Sequence, residues 1–159
     1  MKAMKKTNEQ NKGIPAVFLD RDGTIIEDRG YLSAYGITLL ETYVCPHEHV
    51  SGCRCMKPNP YFLKKAERDF GIDLGRSFVI GDHPHDVELA RNAGASAIYV
   101  LSGHGMKHRD ELSRGTEVAG GIMEAVEIIR ARVEASPDCR YRIPASSIPQ
   151  HSDHWSVGR

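Results

Sequence analysis

Residues 18–25 read Phe-Leu-Asp-Arg-Asp-Gly-Thr-Ile, the end of an apolar strand followed by two aspartates, Asp20 and Asp22. Because the Asp-Gly pair predicts a turn after Asp20, both carboxylates can converge at the carboxyl end of the strand. Open α/β folds bind their ligands at that end of a parallel sheet. Two carboxylates there can hold Mg²⁺, and one can attack a phosphoryl group. An ordinary strand with an Asp-Gly turn has the same pattern, so this stretch alone leaves both interpretations open.

Strand and helix patterns alternate along the rest of the chain. Apolar and β-branched runs predict strands at residues 16–20, 37–44, 77–82 and 95–101. Apolar residues at helical spacing predict helices at residues 61–70, 86–93 and 121–135. Pro60 is expected to open the first of these helices, and Gly71 and Gly94 are expected to end the first two. This alternation predicts a parallel sheet covered by helices, in one α/β domain over residues 14–135.

Composition and chain ends narrow the class of protein. The 159 residues carry 21 Lys plus Arg and 21 Asp plus Glu, so no global positive charge favours nucleic acid or a membrane surface as a partner. No apolar run is long enough to span a bilayer. Residues 1–13 lack the apolar core of a secretory signal and predict a flexible leader, and residues 136–159 predict a disordered tail. We therefore expect a cytoplasmic location.

Residues 45–55 read Cys-Pro-His-Glu-His-Val-Ser-Gly-Cys-Arg-Cys. Three cysteines and one histidine there form a Cys₃His set: Cys45, His47, Cys53 and Cys55. Such a set is typical of closed structural zinc sites, so the metal is expected to brace this loop, bent at Gly52, rather than to catalyse. His49 could replace His47 as a ligand, and the distant Cys139 is expected to be a bystander. A pair of reduced surface cysteine motifs is the alternative interpretation.

A second strand also ends in an aspartate. Residues 81–86 read Gly-Asp-His-Pro-His-Asp, and Asp82 follows its predicted strand as Asp20 follows the first. If the two strands are neighbours, Asp82 lies beside Asp20 and completes an oxygen-rich Mg²⁺ site. Asp86 would lie in the first turn of the next helix, where it either supports that site or caps the helix.

Two basic side chains could contact a phosphoryl group at such a site. Lys57 follows the cysteine segment directly, and a fixed cation there would offset charge on a nucleophilic carboxylate and on the phosphoryl group. A lone Lys before Pro means little, and its significance depends on its place among the other motifs. His83 is a plausible phosphate contact in the loop after Asp82.

In this order, the Asp20-Arg-Asp22-Gly-Thr motif, the Cys/His segment with Lys57, and Gly81-Asp82 with Asp86 resemble the haloacid dehalogenase superfamily. Within it, residues 14–130 are similar to the D,D-heptose 1,7-bisphosphate phosphatase and histidinol-phosphatase group. The resemblance implies a three-layer α/β/α fold of Rossmann type with a parallel sheet. It also implies Mg²⁺-dependent hydrolysis of a small phosphorylated sugar through an aspartyl-phosphate.

The resemblance implies a role for each matched residue. Asp20 is expected to be the nucleophile, Asp22 the general acid and base, and Lys57 the cation that stabilises the phosphoryl group. Mg²⁺ would be held by Asp20, Asp82 and the backbone carbonyl of Asp22. Zinc would be held by Cys45, His47, Cys53 and Cys55. The residues expected to border the substrate are Arg21, Asp22, Met56, Lys57 and His83.

One motif of that group is absent from this chain. The group has a Thr or Ser at the end of the next strand, but only 22 residues separate Asp22 from Cys45, and a βαβ unit needs about 30. We expect one strand and its flanking helices to be missing near Ser33–Ala34, which truncates the sheet. Met56 also replaces a basic residue that typically precedes Lys57.

The missing strand leaves alternatives open. It should expose a hydrophobic sheet edge beside the nucleophile strand, and self-association through that edge is a predicted consequence. The leading functional hypothesis is an Mg²⁺-dependent phosphatase acting on a small phosphorylated sugar or polyol. The alternatives are a zinc-braced, catalytically impaired module for binding or assembly, a histidinol-phosphate phosphatase, and a phosphotransferase that keeps the aspartyl-phosphate step.

Overall fold

The computed structural model describes residues 13–22, 24, 40–48 and 52–136. Several predictions made from the sequence concern residues outside these ranges: nearly all of the leader and tail, the deletion point at Ser33–Ala34, the alternative ligand His49, Cys139, and residues 37–39. Within the described ranges, every helix is too short or too polar to cross a membrane.

Strands and helices alternate in the described part of the chain. Their bounds are β1 Val17–Leu19, α1 Tyr61–Phe70, β2 Phe78–Gly81, α2 Pro84–Ala93, β3 Ser96–Val100, β4 Glu117–Ala119 and α3 Ile122–Ala135. One-turn 3₁₀ helices lie at Leu74–Arg76 and Arg109–Glu111. The strands form one sheet in the order β1-β2-β3-β4, and every pair is parallel. The predicted α/β fold with a parallel sheet is confirmed.

The register places the ends of β1 and β2 side by side. Phe18 lies opposite Val79, and Leu19 lies opposite Ile80. The ladder continues for one more residue, since the Asp20 amide donates to the Ile80 carbonyl at 2.9 Å. The first aspartate is therefore held by the sheet itself, at the edge where the carboxyl ends of the strands meet.

Each face of the sheet has its own hydrophobic core. Helices α1 and α2 cover one face, with a buried cluster of Leu63, Ala66, Ile72, Leu74, Val79, Leu89, Ala90 and Ala93. Helix α3 covers the other face, with a buried cluster of Phe78, Ile80, Ile98, Val100, Ala119 and Ala125. Neighbouring residues of β2 contribute to opposite clusters, as the two-residue period of a strand requires. The result is the expected three-layer α/β/α arrangement.

Strand β1 lies at the edge of the sheet in the described part of the chain, where it pairs with β2 alone. Val17 at its start is 47% exposed. In a sheet covered by helices on both faces, such exposure on a parallel strand is unusual, because parallel strands are normally buried on both sides. This edge position matches the truncated sheet expected from the sequence.

Helix positions agree closely with the predictions. Helix α1 has the predicted bounds, although Pro60 lies just before its first residue rather than within it. Helix α2 begins at Pro84, two residues before the predicted Asp86, because the side chains of His83 and Asp86 form a capping box around its first turn. Gly71 and Gly94 end α1 and α2 with left-handed backbone, as expected.

One strand prediction is wrong, and one strand was not predicted. Residues 40–44, the described part of the predicted strand 37–44, lie in neither strand nor helix. Tyr43 instead stacks on Phe62 of α1 with ring centroids 5.0 Å apart, so its apolar surface packs on a helix and not in the sheet. Strand β4 was missed because three residues bordered by Gly115 and by Gly120-Gly121 show no detectable period.

Candidate active site and metal centre

Three carboxylates converge where β1 and β2 end. Asp20, Asp82 and Asp86 each have an oxygen within 4.8 Å of the others. Asp82 follows β2 directly and its side chain is only 3% exposed. Its Oδ2 accepts a hydrogen bond from the His104 amide at 2.7 Å, so the loop after β3 helps to hold this carboxylate. The structure thus brings Asp20 and Asp82 together, and it adds Asp86.

The ammonium of Lys57 lies among these carboxylates. Its Nζ contacts Oδ1 of Asp20 and lies 2.6 Å from Oδ1 of Asp86. Burial lowers the pKa of Lys57, but the charge of Asp86 and the hydrogen bond to Asp20 outweigh that effect, so its pKa is raised. Lys57 therefore remains a cation beside Asp20 throughout the physiological pH range.

Asp86 both caps helix α2 and supports the carboxylate site. Its Oδ2 accepts from the His83 amide at 3.2 Å, which caps α2, while its Oδ1 pairs with Lys57. Gly81 makes this possible, since a Cβ there would lie 2.3 Å from the Asp86 Cγ. Burial raises the pKa of Asp86, and the charge of Lys57 opposes that increase.

Two asparagines that the sequence motifs did not identify hold the Lys57 turn. Asn92 of α2 donates from Nδ2 to the Pro58 carbonyl at 3.0 Å. Asn59 donates from Nδ2 to the Cys53 carbonyl at 3.3 Å, and its amide donates to the carbonyl of half-buried Met56 at 2.9 Å. The cysteine segment, the Lys57 turn and α2 are thereby linked. Neutral amides carry no motif signal, so the sequence did not indicate this role.

The Asp22 carboxylate lies outside the carboxylate cluster. It is 76% exposed and pairs with the Arg21 guanidinium through two hydrogen bonds of 2.9 Å. This hydrogen-bonded pair lowers the pKa of Asp22. Nearby, Thr24 is buried, and its hydroxyl has no hydrogen-bond partner among the residues that the structure describes.

Four histidines lie around this edge of the sheet. The His83 ring is 4.6 Å from that of His85 and 4.7 Å from that of His108. Burial, followed by the charges of His85 and His108, lowers the pKa of His83. His104 Nδ1 lies 3.8 Å from Asp82 Oδ2. His104 and His108 were not identified as site residues from the sequence.

The carboxylate cluster suits a hard divalent cation. Three carboxylates and one ammonium carry a net charge of two negative units when all are ionised. Both oxygens of Asp86 already have partners, the His83 amide and Lys57, which leaves Asp20 and Asp82 as the first candidates for ligands. Carboxylate oxygens are the donors that Mg²⁺ prefers. The residues present therefore fit Mg²⁺.

The cysteine segment closes on itself as a second centre. The three Sγ–Sγ distances are 3.2 Å for Cys45–Cys55, 3.4 Å for Cys45–Cys53 and 3.7 Å for Cys53–Cys55. His47 Nδ1 lies 3.3 Å from the Cys55 Sγ and 3.6 Å from the Cys45 Sγ. These separations exceed the roughly 2.05 Å of a disulfide bond.

The same distances fit a tetrahedral metal. Zinc–sulfur bonds of about 2.3 Å give a tetrahedron with edges of about 3.8 Å, slightly longer than those observed. In the absence of a cation, the hydrogen bond from Cys55 to Cys45 raises the pKa of Cys55 to about 12. Three thiolates this close need a cation to be stable together, so the donor set fits zinc.

Comparisons with known proteins find a family and several phosphatases to which this chain is similar. Residues 54–125 match the HAD-hydrolase-like family. The chain is similar to a probable D-glycero-D-manno-heptose-1,7-bisphosphate 7-phosphatase from Thermoplasma acidophilum, with 45% identity over 60 residues, 37% of this chain and 38% of that protein. It is also 28% identical to a D-glycero-beta-D-manno-heptose-1,7-bisphosphate 7-phosphatase from Photorhabdus laumondii.

The alignment lengths bear on the expected deletion. The Photorhabdus alignment is 142 residues long and covers 76% of that protein but only 50% of this chain. The relative therefore has residues inside the aligned region that this chain lacks. A deletion within the domain, as the spacing of Asp22 and Cys45 indicated, accounts for the difference.

A solved structure shows the same fold. D,D-heptose 1,7-bisphosphate phosphatase from B. bronchiseptica, in complex with magnesium and phosphate, superimposes with a TM-score of 0.65 at 20% identity. The match covers 75% of this chain and 99% of that one. The chain is thus similar to the HAD-hydrolase-like family over residues 54–125 and to heptose-1,7-bisphosphate phosphatases, and it shares the fold of one of them.

Proposed function

We propose that the protein is an Mg²⁺-dependent phosphatase that hydrolyses a phosphate monoester of a small sugar or polyol through an aspartyl-phosphate. One observation carries the proposal: the Lys57 ammonium lies between Asp20 and Asp86, beside Asp82, at the carboxyl ends of β1 and β2. This arrangement combines a nucleophile held by the sheet with a fixed cation and an oxygen-rich cluster. Phosphoryl transfer depends mainly on such positioning and charge neutralisation.

The relatives support the substrate class. Proteins similar to this chain are named heptose bisphosphate phosphatases, and the B. bronchiseptica structure holds magnesium and phosphate. The chain spans less than two fifths of the Thermoplasma relative, however, so we infer the phosphorylated-sugar class and not a particular heptose.

The first chemical step forms the aspartyl-phosphate. A carboxylate oxygen of Asp20 attacks phosphorus, and the bond from phosphorus to the leaving oxygen breaks. That oxygen takes a proton from Asp22, and Lys57 offsets the negative charge of the phosphoryl group. Mg²⁺, held by Asp20, Asp82 and the Asp22 carbonyl, would supply further charge neutralisation and hold the phosphoryl group in place.

The second step hydrolyses this intermediate. Water attacks phosphorus and gives a proton to Asp22, the bond from Asp20 to phosphorus breaks, and inorganic phosphate leaves. Asp20 is regenerated, and Asp22 again carries the proton that it gave to the leaving oxygen. The overall reaction consumes one water and one ester and releases an alcohol and phosphate.

Arg21 couples substrate binding to this proton transfer. Its hydrogen bonds hold Asp22 ionised and exposed, which does not suit a general acid. A guanidinium also binds a phosphate strongly. When Arg21 binds the substrate phosphate, Asp22 loses its partner, its pKa rises, and it takes up a proton from water. Its side chain can then turn toward the leaving oxygen, and the proton returns to water when phosphate leaves and Arg21 pairs with Asp22 again.

We further propose that Cys45, His47, Cys53 and Cys55 bind a structural zinc ion. All four ligands come from the protein, so the ion braces the segment instead of binding substrate. Asn59 links this segment to the Lys57 turn through the Cys53 carbonyl, so the zinc centre helps to position Lys57.

A catalytically impaired binding or assembly module is the second candidate. The edge position of β1 and the exposed Asp22 favour it, because the nucleophile strand lacks a described neighbour on one side and the acid is not in place. It differs from the phosphatase in one measurable property, Mg²⁺-dependent turnover.

The deciding experiment compares wild type with Asp20→Asn. Hydrolysis of an aryl phosphate and of a panel of sugar phosphates, including heptose bisphosphate, and of histidinol phosphate is measured with and without Mg²⁺. Asp20→Asn should reduce turnover by at least about a thousandfold, because it removes the nucleophile.

Asp69→Asn is the matched control, since Asp69 is a surface carboxylate paired with a lysine, as Asp20 is, but lies on α1. Its turnover should equal that of wild type. If wild type shows no Mg²⁺-dependent turnover, or if Asp20→Asn retains it, the phosphatase proposal is wrong.

A further inference from the structure

A cavity of about 310 Å³ lies at the opposite end of the sheet from the carboxylates. Its lining includes Ser96 and Glu117, the first residues of β3 and β4, so it is at the amino ends of these strands. Strand β3 has five residues, which at about 3.3 Å per residue places the cavity about 15 Å from the carboxyl ends. A small ligand bound there cannot reach Asp20.

Three arginines surround this cavity: Arg91, Arg114 and Arg132. Glu117 is the one acidic residue of its lining. The formal charge of the lining is thus two positive units. The carboxyl end of α2 lies beside it and contributes roughly half a negative charge, so an excess of about one and a half positive charges remains.

Two of the arginines are held by contacts with other side chains. Arg91, in the last turn of α2, donates from Nη2 to the Ser113 hydroxyl at 3.1 Å. Arg132 of α3 pairs with Glu117. These contacts join two helices and β4 around the cavity, so the positions of both guanidiniums are set by the fold.

Arg114 has no such contact among the described residues. Its side chain makes neither an ion pair nor a hydrogen bond within the described ranges. It lies in a tight turn, in which the Thr116 amide donates to the Ser113 carbonyl at 3.2 Å and the Thr116 hydroxyl donates to the same oxygen at 2.8 Å. Gly115, at φ 82°, occupies the position of that turn that requires a positive φ. A rigid turn thus presents an unpaired guanidinium at a cavity that already has two others.

We propose that this cavity is an anion-binding site for a phosphate group, separate from the carboxylate site. Guanidiniums bind phosphate through paired hydrogen bonds, and three of them around one cavity suit a tetrahedral oxyanion, which has more acceptor oxygens than a carboxylate. The volume is at the lower end of the range for small-molecule sites, which favours inorganic phosphate or a small phosphorylated metabolite over a polymer.

The test uses the full chain with its zinc, without Mg²⁺, in about 150 mM KCl, where the charges of exposed groups are screened beyond about 8 Å. Inorganic phosphate is titrated while binding heat and backbone amide NMR shifts are recorded. We expect saturable binding and shifts of the Gly115, Thr116 and Ser96 amides. A sugar phosphate in a parallel titration shows whether the free ion or the ester binds more tightly.

Arg114→Met should weaken phosphate binding by about tenfold or more, the usual value of a charged hydrogen bond. Arg114→Lys keeps the charge and loses the paired donors, so its affinity should lie between those of wild type and the Met variant. Arg68→Met is the matched control, because Arg68 is exposed on α1 outside the cavity lining, and it should bind as wild type does.

Three results would overturn the proposal. The first is binding that disappears as KCl reaches 150 mM, which would show non-specific attraction. The second is equal affinity in wild type and both Arg114 variants. The third is a set of shifts confined to the Asp82 and His104 amides, which would place the phosphate at the carboxylate site. None of these results bears on turnover, so they leave the proposed phosphatase activity to its own test.

Discussion

Lys57 Nζ lies 2.6 Å from Asp86 Oδ1 while the same ammonium contacts Asp20. The Asp86 side chain is 3% exposed, whereas that of Asp20 is 22% exposed. The buried carboxylate therefore depends on Lys57 for neutralisation, while the more open one is available to a ligand. A single cation serves the stability of the fold through Asp86 and the chemistry of the site through Asp20.

Lys57→Met is expected to lower both stability and activity. Near pH 7 the free energy of unfolding should fall by about 1–3 kcal/mol, less than for a fully buried pair because Lys57 is 40% exposed. Turnover should fall by about a hundredfold or more, since the phosphoryl group loses its fixed cation. Urea denaturation and aryl phosphate hydrolysis provide the two measurements.

The stability loss should depend on pH. Burial raises the pKa of Asp86 and Lys57 opposes the rise, so without Lys57 the folded-state pKa increases further. A carboxyl whose pKa is raised in the folded state stabilises the fold most when the pH is below its ordinary pKa of about 3.9. This stabilisation is lost as the pH rises toward the pKa of the folded state. The free energy of unfolding of Lys57→Met should therefore fall as the pH rises above about 4.

The double variant Lys57→Met/Asp86→Asn is the control, and its free energy of unfolding should not fall with pH in this way. A fall that persists in the double variant would contradict the role of Asp86.

Zinc content tests the cysteine centre. The purified chain should contain about one zinc ion, as a Cys₃His site predicts. Cys53→Ser should lose most of it and reduce turnover by at least about tenfold, because the Lys57 turn is bonded to the Cys53 carbonyl through Asn59. Cys139→Ser is the control and should keep both properties. Elemental analysis that finds a folded, metal-free wild type would reject the zinc proposal.

Asn92→Ala tests whether α2 positions the lysine. Loss of the 3.0 Å hydrogen bond to the Pro58 carbonyl should reduce kcat about fivefold, the equivalent of roughly 1 kcal/mol, with zinc content unchanged. Glu88→Ala, an exposed position one turn earlier in α2, should have no effect. An unchanged kcat in Asn92→Ala would show that the turn holds Lys57 without this contact.

The position of β1 at the edge of the described strands predicts self-association. Wild type should form concentration-dependent oligomers in sedimentation experiments, and Val17→Lys should reduce them, because a charge on an edge strand opposes pairing. Val126→Lys, at an exposed position on α3, should not change the oligomeric state. A wild type that remains a compact monomer at high concentration would argue against an open edge.

The site could be predicted from the sequence where the sheet places the residues directly. Asp20 and Asp82 each follow a buried strand, and parallel neighbours bring such residues to one edge. The Cys₃His set was predicted equally directly, since its four ligands lie within eleven residues. In contrast, the strand predicted at 37–44 was wrong for residues 40–44, because Tyr43 found its apolar contact on α1.

The parallel α/β order, the two aspartates at strand ends and the clustering of Cys45, His47, Cys53 and Cys55 could be predicted from the amino-acid sequence, because these features depend on short-range spacing. Three contacts became visible in the folded chain alone: Lys57 pairs with Asp86 as well as Asp20, Asn92 holds the turn of Lys57, and Asp22 pairs with Arg21 away from the cluster. The arginine cavity likewise joins residues from two helices and two strands. Such contacts depend on how distant segments pack, and no local pattern of residue types encodes that packing.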